Sequence, residues 1–136
     1  MARIVVMLCA GTHVVWPWLE VYPLLAPSHH QPPVIVPYPP GGQTDIITRW
    51  LGEKLAPVLG QPVLAENRAG AQGIVGLEAA KNAAPDGYTF VYSNVSNISL
   101  NPHMHEKLPY DGQKDFAPVT QLGLSVLAMV VPASLG

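Results

Sequence analysis

The chain has 136 residues, of which 49% are hydrophobic and 12% are charged, and its formal net charge is −2. This composition can bury one hydrophobic core, so it argues against intrinsic disorder and favours a single domain. The seven basic residues are scattered along the chain, and we therefore expect no nucleic-acid partner. Cys9 is the only cysteine, which excludes an intrachain disulfide and a cysteine-based zinc site.

The first 33 residues begin like a secretory signal, with Arg3 followed by the apolar run 4–10. Pro17, Glu20 and Pro23 then interrupt the hydrophobic region, and they also argue against a transmembrane helix. We expect residues 1–33 to form an atypical segment that is either a degenerate signal or disordered.

From residue 34 onward, short apolar runs alternate with amphipathic segments. The runs predict strands at 34–36, 62–66 and 88–92, and the segments between them predict helices at 44–59 and 73–83. The order strand–helix–strand–helix–strand predicts an α/β fold with a parallel sheet and right-handed crossovers. Residues 101–114 read as irregular, and two further strands are expected at 116–122 and 126–131.

The first predicted helix has one apolar face and clear end signals. Thr44 or Asp45 can cap its start, Gly60 can stop its end, and Pro57 is expected to end the regular helix a turn early. Helical spacing places the following residues on the buried side or beside it: Ile46, Ile47, Trp50, Leu51, Leu55 and Val58.

Three loops are expected to meet at the carboxyl edge of the sheet, where ligands bind in such folds: 37–44, 67–73 and 93–97. The first contains Gly41 and Gly42 and leads directly into a helix. Backbone N–H groups and the helix dipole converge there, which favours an anion such as a small carboxylate. The pattern therefore predicts a receptor for acids and not an enzyme that acts on them.

Other residues in these loops have simpler interpretations than chemistry. Asp45 could be a general base or a ligand contact, but capping and ordering of the loop are favoured. Gly70, Gly73 and Gly76 do not match the spacing of a nucleotide-binding motif, and close packing explains them better. Arg68 is expected to brace loops. The histidines form no metal-ligand pattern. The serines form no catalytic triad, so hydroxyls that line a polar cleft or cap a short helix near Ile98 are favoured.

Several separate segments resemble one known family. The run Val-Pro-Tyr-Pro-Pro-Gly-Gly-Gln-Thr-Asp at 36–45 resembles the signature of the Bug-type receptors, the periplasmic substrate-binding proteins of tripartite tricarboxylate transporters. Matching motifs follow in register at 59–63, 66–73, 83–89, 108–111 and 114–119.

This resemblance implies a fold of the periplasmic-binding-protein type II kind, with a three-layer parallel-sheet lobe whose second lobe is absent. Residues 34–122 would form the partial N-terminal lobe, and residues 123–136 would begin the crossover to the missing lobe. Since the sheet would then expose an apolar edge at its third strand, we expect the chain alone to be marginally stable.

The resemblance also implies a ligand and a set of contacts. A dicarboxylate, tricarboxylate or similar organic acid would be held without a cofactor or metal and delivered to membrane transporter subunits from the periplasm. The 38–45 loop would hold one carboxylate, and the 93–97 loop would add polar contacts. The implied ligand-binding residues are Tyr38, Pro39, Gly41, Gly42, Thr44, Asp45, Ser93, Asn94 and Asn97.

Two other functions remain open from the sequence. The chain could be a non-functional truncated gene product, or an α/β enzyme that acts on an anionic substrate. The enzyme hypothesis is the weaker one, because no acid/base pair, metal cluster or activated nucleophile is evident.

Overall fold

A computed structural model describes residues 33–123, 130–132 and 134. The atypical segment expected at 1–33 lies outside the described residues except for Pro33. The same holds for most of the strand expected at 126–131, and its last two residues, Val130 and Val131, are not in a strand and are solvent-exposed.

The sheet has three parallel strands: β1 (Pro33–Val36), β2 (Leu64–Asn67) and β3 (Phe90–Val91). Their order is β2-β1-β3, so β1 lies in the centre. The three predicted strands and their parallel arrangement are confirmed. The third strand is shorter than expected, because only residues 90 and 91 pair with β1.

Two helices connect the strands. Helix α1 (Gln43–Leu59) joins β1 to β2, and helix α2 (Ile74–Lys81) joins β2 to β3 after a 3-10 turn at Ala71–Gly73. Because β2 and β3 lie on opposite sides of β1, right-handed crossovers place the two helices on opposite faces of the sheet. The result is the expected three-layer α/β lobe.

The ends of α1 differ in part from the expectation. Gly42 precedes its first residue and makes no side-chain cap, so neither Thr44 nor Asp45 is the N-cap. Pro57 does not shorten the helix, which continues to Leu59 and ends at Gly60 in the left-handed conformation, with φ of 68°. So close to the end Pro57 removes only one ladder bond, to the carbonyl of exposed Glu53, which water can solvate.

The buried side of α1 is not the predicted apolar stripe. Asp45, Thr48 and Gly52 are its buried residues, while Ile47, Leu51 and Leu55 are half-buried. Three residues expected on or beside the buried face are largely exposed: Ile46, Trp50 and Val58. The helix approaches the sheet through its small residues, and a Cβ at Gly52 would lie 3.4 Å from Val63. The face of α1 that carries small residues is therefore the buried one, because it allows the helix backbone to approach the sheet closely.

The hydrophobic core lies between α2 and the sheet and continues into the chain after β3. It is formed by Ile35, Leu77, Ala80, Val91, Tyr110 and Phe116. The rings of Tyr110 and Phe116 meet edge to face with centroids 5.7 Å apart. Lys81 pairs with Asp115 at 2.9 Å and donates a hydrogen bond to the carbonyl of Pro109, which fastens this segment to α2.

Two predictions after β3 are wrong. A π-helical turn (Ser96–Leu100) lies where a short helix near Ile98 was one alternative, and it runs into a short helix α3 (Asn101–Met104), where irregular structure was expected. No strand occurs in the described part of the segment after residue 116; Phe116 packs into the core instead. Long-range contacts to α2, which no local pattern shows, determine the path of this segment.

Gly76 and Gly52 form a matched pair of buried helical glycines. A Cβ at Gly76 would lie 2.6 Å from the Cβ of Pro37, whereas at Gly52 the nearest atoms are at ordinary contact distance. Gly76→Ala should therefore lower the free energy of unfolding by about 1–3 kcal/mol through overpacking. Gly52→Ala should leave it unchanged or raise it, because alanine favours the helix. Urea unfolding measures both, and equal midpoints for the two variants would contradict this packing.

Candidate functional site

The three loops predicted at the carboxyl edge of the sheet do meet there, and Tyr38 connects them. Its hydroxyl donates to Oδ1 of Asn97 at 3.1 Å and accepts from Nδ2 of Asn94 at 2.8 Å. The backbone carbonyl of Tyr38 accepts from Nδ2 of Asn67 at 3.1 Å. The site thus lies where the strand order diverges from β1 towards β2 and β3, the position at which open α/β sheets bind ligands.

Asn97 is the fully buried centre of this arrangement. Besides accepting from Tyr38, it donates from Nδ2 to the carbonyl of Gln72 at 3.0 Å. Its backbone N–H donates to Oδ1 of Asn94, and its backbone carbonyl accepts from the hydroxyl of Tyr110 at 2.6 Å. One residue therefore joins the loops after all three strands to the core.

The loop after β2 adopts an unusual backbone conformation to reach Asn97. Ala71 and Gln72 have positive φ values of 44° and 56°, and Gly70 and Gly73 flank them with positive φ as well. A Cβ at Gly73 would clash with the side-chain amide of Asn97, and one at Gly76 would clash with Pro37. Close packing is therefore the reason for these glycines, as the sequence predicted.

Asp45 orders the loop after β1. Its carboxylate accepts hydrogen bonds from the backbone N–H of Gly41 at 2.9 Å, from Nε of Arg49 and from Nδ2 of Asn67. Arg49 also donates to Oδ1 of Asn67 at 2.8 Å. The hydrogen bonds from Arg49, Gly41 and Asn67 lower the pKa of the Asp45 carboxyl from 3.8 to about 2. Asp45 is thus an ionised structural anion paired with Arg49 and is unsuited to act as a general base near neutral pH.

The first turn of α1 supplies the amides predicted for anion binding, with one exception. The first helical hydrogen bond runs from the N–H of Ile46 to the carbonyl of Gly42. The N–H groups of residues 42–45 therefore have no acceptor within the helix, while the N–H of Gly41 is already used by Asp45. Gly42 is exposed and Thr44 is half-buried, so this end of the helix is open to solvent.

Two polar side chains follow β3 at the same edge. Asn94 is half-buried and contacts Tyr38, whereas Ser93 is completely buried. The hydroxyl oxygen of Ser93 has no hydrogen-bond partner among the described residues. Burial raises the pKa of the neighbouring Tyr92, so this tyrosine stays neutral near physiological pH.

The predicted site residues therefore fall into two groups, with Pro39 and Ser93 outside both. Tyr38, Asn94 and Asn97 form one hydrogen-bonded cluster; Gly41, Gly42, Thr44 and Asp45 form the adjoining loop and helix start; Pro39 is exposed beside them. Ser93 is close in sequence to the cluster but makes no hydrogen bond with it.

Sequence reasoning missed Arg49, Asn67 and Gln72 as residues that shape the site. The spacing of four between Asp45 and Arg49 was a usable signal, because such pairs face each other on a helix. The sequence predicted only that Arg68, the residue after Asn67, would brace loops. Arg68 instead pairs with Glu66 at 2.7 Å at the surface. No local signal indicates that the carbonyl of Gln72 would turn towards Asn97.

The described residues contain no group of three or more metal-ligating side chains. Within the same part of the chain, no helix is both long and apolar enough to cross a membrane.

Asp45→Asn tests the role of this carboxylate through the pH dependence of stability. Because the pKa of Asp45 is lowered on folding, the wild-type chain should gain stability from it above pH 4 and lose that stability as pH falls from about 4 to about 2. Asp45→Asn should lose stability near neutral pH and show a smaller decline across that window. Unfolding midpoints between pH 2 and 6 measure this.

Glu53→Gln is the matched control, because it removes a carboxylate from the exposed side of the same helix. It should retain the acid-dependent loss of stability. A wild-type pH dependence in Asp45→Asn would show that the network around Asp45 does not stabilise the fold.

Known proteins share part of this sequence. Residues 47–135 match the family model described as "Tripartite tricarboxylate transporter family receptor". Protein BugT of Bordetella pertussis is 38% identical over 116 residues, which cover 83% of this chain and 36% of that protein. A UPF0065 protein from the tcbD-tcbE intergenic region of Pseudomonas sp. is 35% identical over 99 residues, which cover 73% of this chain and 29% of that protein.

A solved structure, described as "Structure of a periplasmic transporter", shares the fold as well. It is 46% identical in sequence and superimposes with a TM-score of 0.58 over 60% of this chain and 28% of the other. The chain thus spans about a third of the length of the curated relatives it matches. With a family match over residues 47–135 and a shared α/β lobe, this chain belongs to the receptor family of the tripartite tricarboxylate transporters.

Proposed function

We propose that this chain is a solute-binding receptor segment that holds a small organic acid and supplies it to a tripartite tricarboxylate transporter. The observation that carries the proposal is the open N-terminus of α1 next to the Tyr38 cluster, at the carboxyl edge of the sheet. The N–H groups of residues 42–45 have no acceptor within the helix, and free N–H groups at a helix N-terminus favour a carboxylate.

The charges around this helix end suit an anionic ligand. Asp45 would repel a carboxylate if it were unpaired, but Arg49 and Asn67 already bind its oxygens. Near the loop the charges of Asp45 and Arg49 largely cancel, so the helix dipole and the N–H groups set the local field. Hydrogen bonds from such groups to a carboxylate are charge-assisted and stronger than neutral ones.

The second part of the site supplies neutral polar groups. Tyr38 and Asn94 are half-buried at the edge of the sheet, and the hydroxyl of Ser93 is a buried group with unused hydrogen-bonding capacity among the described residues. We assign Tyr38 and Asn94 to the part of the ligand that lies beyond the carboxylate, whereas the hydroxyl of Ser93, predicted as a ligand contact, is buried and not accessible to a ligand. Binding of this kind involves no reaction, cofactor or metal.

The family and the solved relative support a proposal for the partner and the compartment. The family description names a transporter receptor, and the solved relative is described as a periplasmic transporter. We propose that the chain works in the periplasm with membrane transporter subunits, that residues 34–122 belong to one lobe, and that residues 123–136 lead towards a second.

Gln43→Pro tests the backbone amides without changing the helix. Gln43 is the first residue of α1, and Gly42 before it has φ of −76° and ψ of 167°, which a following proline tolerates. The variant removes one N–H donor and should weaken carboxylate binding about tenfold or more. Equilibrium titration with a panel of dicarboxylates, tricarboxylates and acidic amino acids measures the affinity.

Gln43→Ala is the matched control, because it removes the side chain and keeps the N–H group. It should bind like the wild-type chain, and both variants should retain its thermal stability. Equal binding by Gln43→Pro and Gln43→Ala would place the carboxylate elsewhere. Absence of binding by the wild-type chain to every acid in the panel would refute the receptor function.

A further inference from the structure

We propose that the hydroxyl of Tyr38 acts towards the ligand only as a hydrogen-bond acceptor, and therefore selects acids that carry a hydroxyl or ammonium group beside a carboxylate. This inference rests on the proposed function and specifies its ligand. It follows from the directions of the hydrogen bonds around Tyr38, which two backbone groups fix.

The first backbone group is the carbonyl of Gln72. A carbonyl oxygen can only accept, so the side-chain atom of Asn97 that lies 3.0 Å from it is the amide nitrogen. The other atom of the same amide, Oδ1, then faces Tyr38 at 3.1 Å. Because Oδ1 can only accept, the hydroxyl hydrogen of Tyr38 is directed at Asn97.

The second backbone group is the N–H of Asn97. An N–H can only donate, so the atom of Asn94 that it reaches at 3.2 Å is Oδ1. Nδ2 of Asn94 then faces the hydroxyl of Tyr38 at 2.8 Å and donates to it. If the amide of Asn97 were turned over, its oxygen would face the carbonyl oxygen of Gln72. If the amide of Asn94 were turned over, its NH2 group would face the N–H of Asn97. Both orientations are therefore determined.

These two contacts use the only hydrogen of the Tyr38 hydroxyl and one of its acceptor positions. The capacity that remains is the second lone pair of the phenol oxygen, which is partly delocalised into the ring and accepts more weakly than the first. Asn97 is completely buried, whereas Tyr38 and Asn94 are half-buried, so the open side of the cluster is the side of Tyr38 and Asn94. A ligand that reaches this hydroxyl must bring a donor.

Two parts of the site would therefore contact different groups of the same ligand. One carboxylate is held by the N–H groups at the start of α1, and a second carboxylate oxygen against Tyr38 would set lone pair against lone pair. A hydroxyl or ammonium group at that position would instead donate to Tyr38. Asn94 keeps a second N–H that can serve an acceptor, so the contribution specific to Tyr38 is a preference for a donor next to the carboxylate.

Titration of the full 136-residue wild-type chain with succinate, both enantiomers of malate, aspartate and 2-fluorosuccinate tests the selection. Fluorine is close to hydroxyl in size but carries no hydrogen to donate. One enantiomer of malate or aspartate should bind about fivefold or more tightly than succinate, and 2-fluorosuccinate should bind no better than succinate.

Tyr38→Phe should remove this preference, so that malate and succinate bind to this variant with affinities within about twofold of each other. Tyr88→Phe is the matched control, because Tyr88 precedes β3 at the opposite edge of the sheet, and it should keep the preference. The comparison of malate with 2-fluorosuccinate on the wild-type chain needs no variant, so it decides the question even if Tyr38→Phe fails to fold.

The outcomes separate this inference from the proposed function. Equal affinity of the wild-type chain for malate, succinate and 2-fluorosuccinate would overturn the role of Tyr38 and leave the carboxylate receptor intact. Retention of the malate preference by a folded Tyr38→Phe variant would also overturn it. Failure of all of these acids to bind would refute the receptor proposal, and with it any selection by Tyr38.

Discussion

The hydrogen bonds of Asn97 are the constraint on which the rest of the site depends. A buried amide must use its donors and acceptors, and Asn97 uses them on Tyr38, Gln72 and, through its backbone, Asn94 and Tyr110. Tyr38, Gln72 and Tyr110 lie in three different segments of the chain. Their positions are therefore coupled, and the free energy lost by leaving one of them unpaired opposes any independent movement of a single loop.

The same coupling explains the irregular backbone nearby. Positive φ at Ala71 and Gln72 is unfavourable for residues with a side chain, yet it turns the carbonyl of Gln72 towards Asn97. The glycines at 73 and 76 leave the space that Asn97 and Pro37 occupy. The strained backbone at Ala71 and Gln72 and the missing Cβ atoms of the glycines thus have the same effect: both allow the loops after the three strands to lie close together.

The charges at the N-terminus of α1 are also balanced by contacts between different segments. An acidic residue beside a proposed anion site is tolerable because its charge is held by Arg49 and its oxygens are occupied by Gly41 and Asn67. Asp45 and Arg49 are thereby part of the framework, and the amides beyond Gly41 remain for a guest. The proposed site combines fixed main-chain donors with a neutral tyrosine and asparagine cluster, and hydrogen bonds from main-chain donors to a carboxylate are charge-assisted.

The sequence alone determined the strands and helices up to β3, because their signals are local: β-branched runs for the strands, helical spacing for the connections, and Gly60 and Gly87 at positive φ for the turns. It also determined that three loops share one edge, since parallel strands end on the same side. Only the tertiary structure decided that α1 buries Asp45, Thr48 and Gly52 instead of Trp50, that Phe116 joins the core, and that Asn97 ties the loops together. These outcomes depend on close approach and on hydrogen bonds between residues up to 59 positions apart, which no local pattern contains.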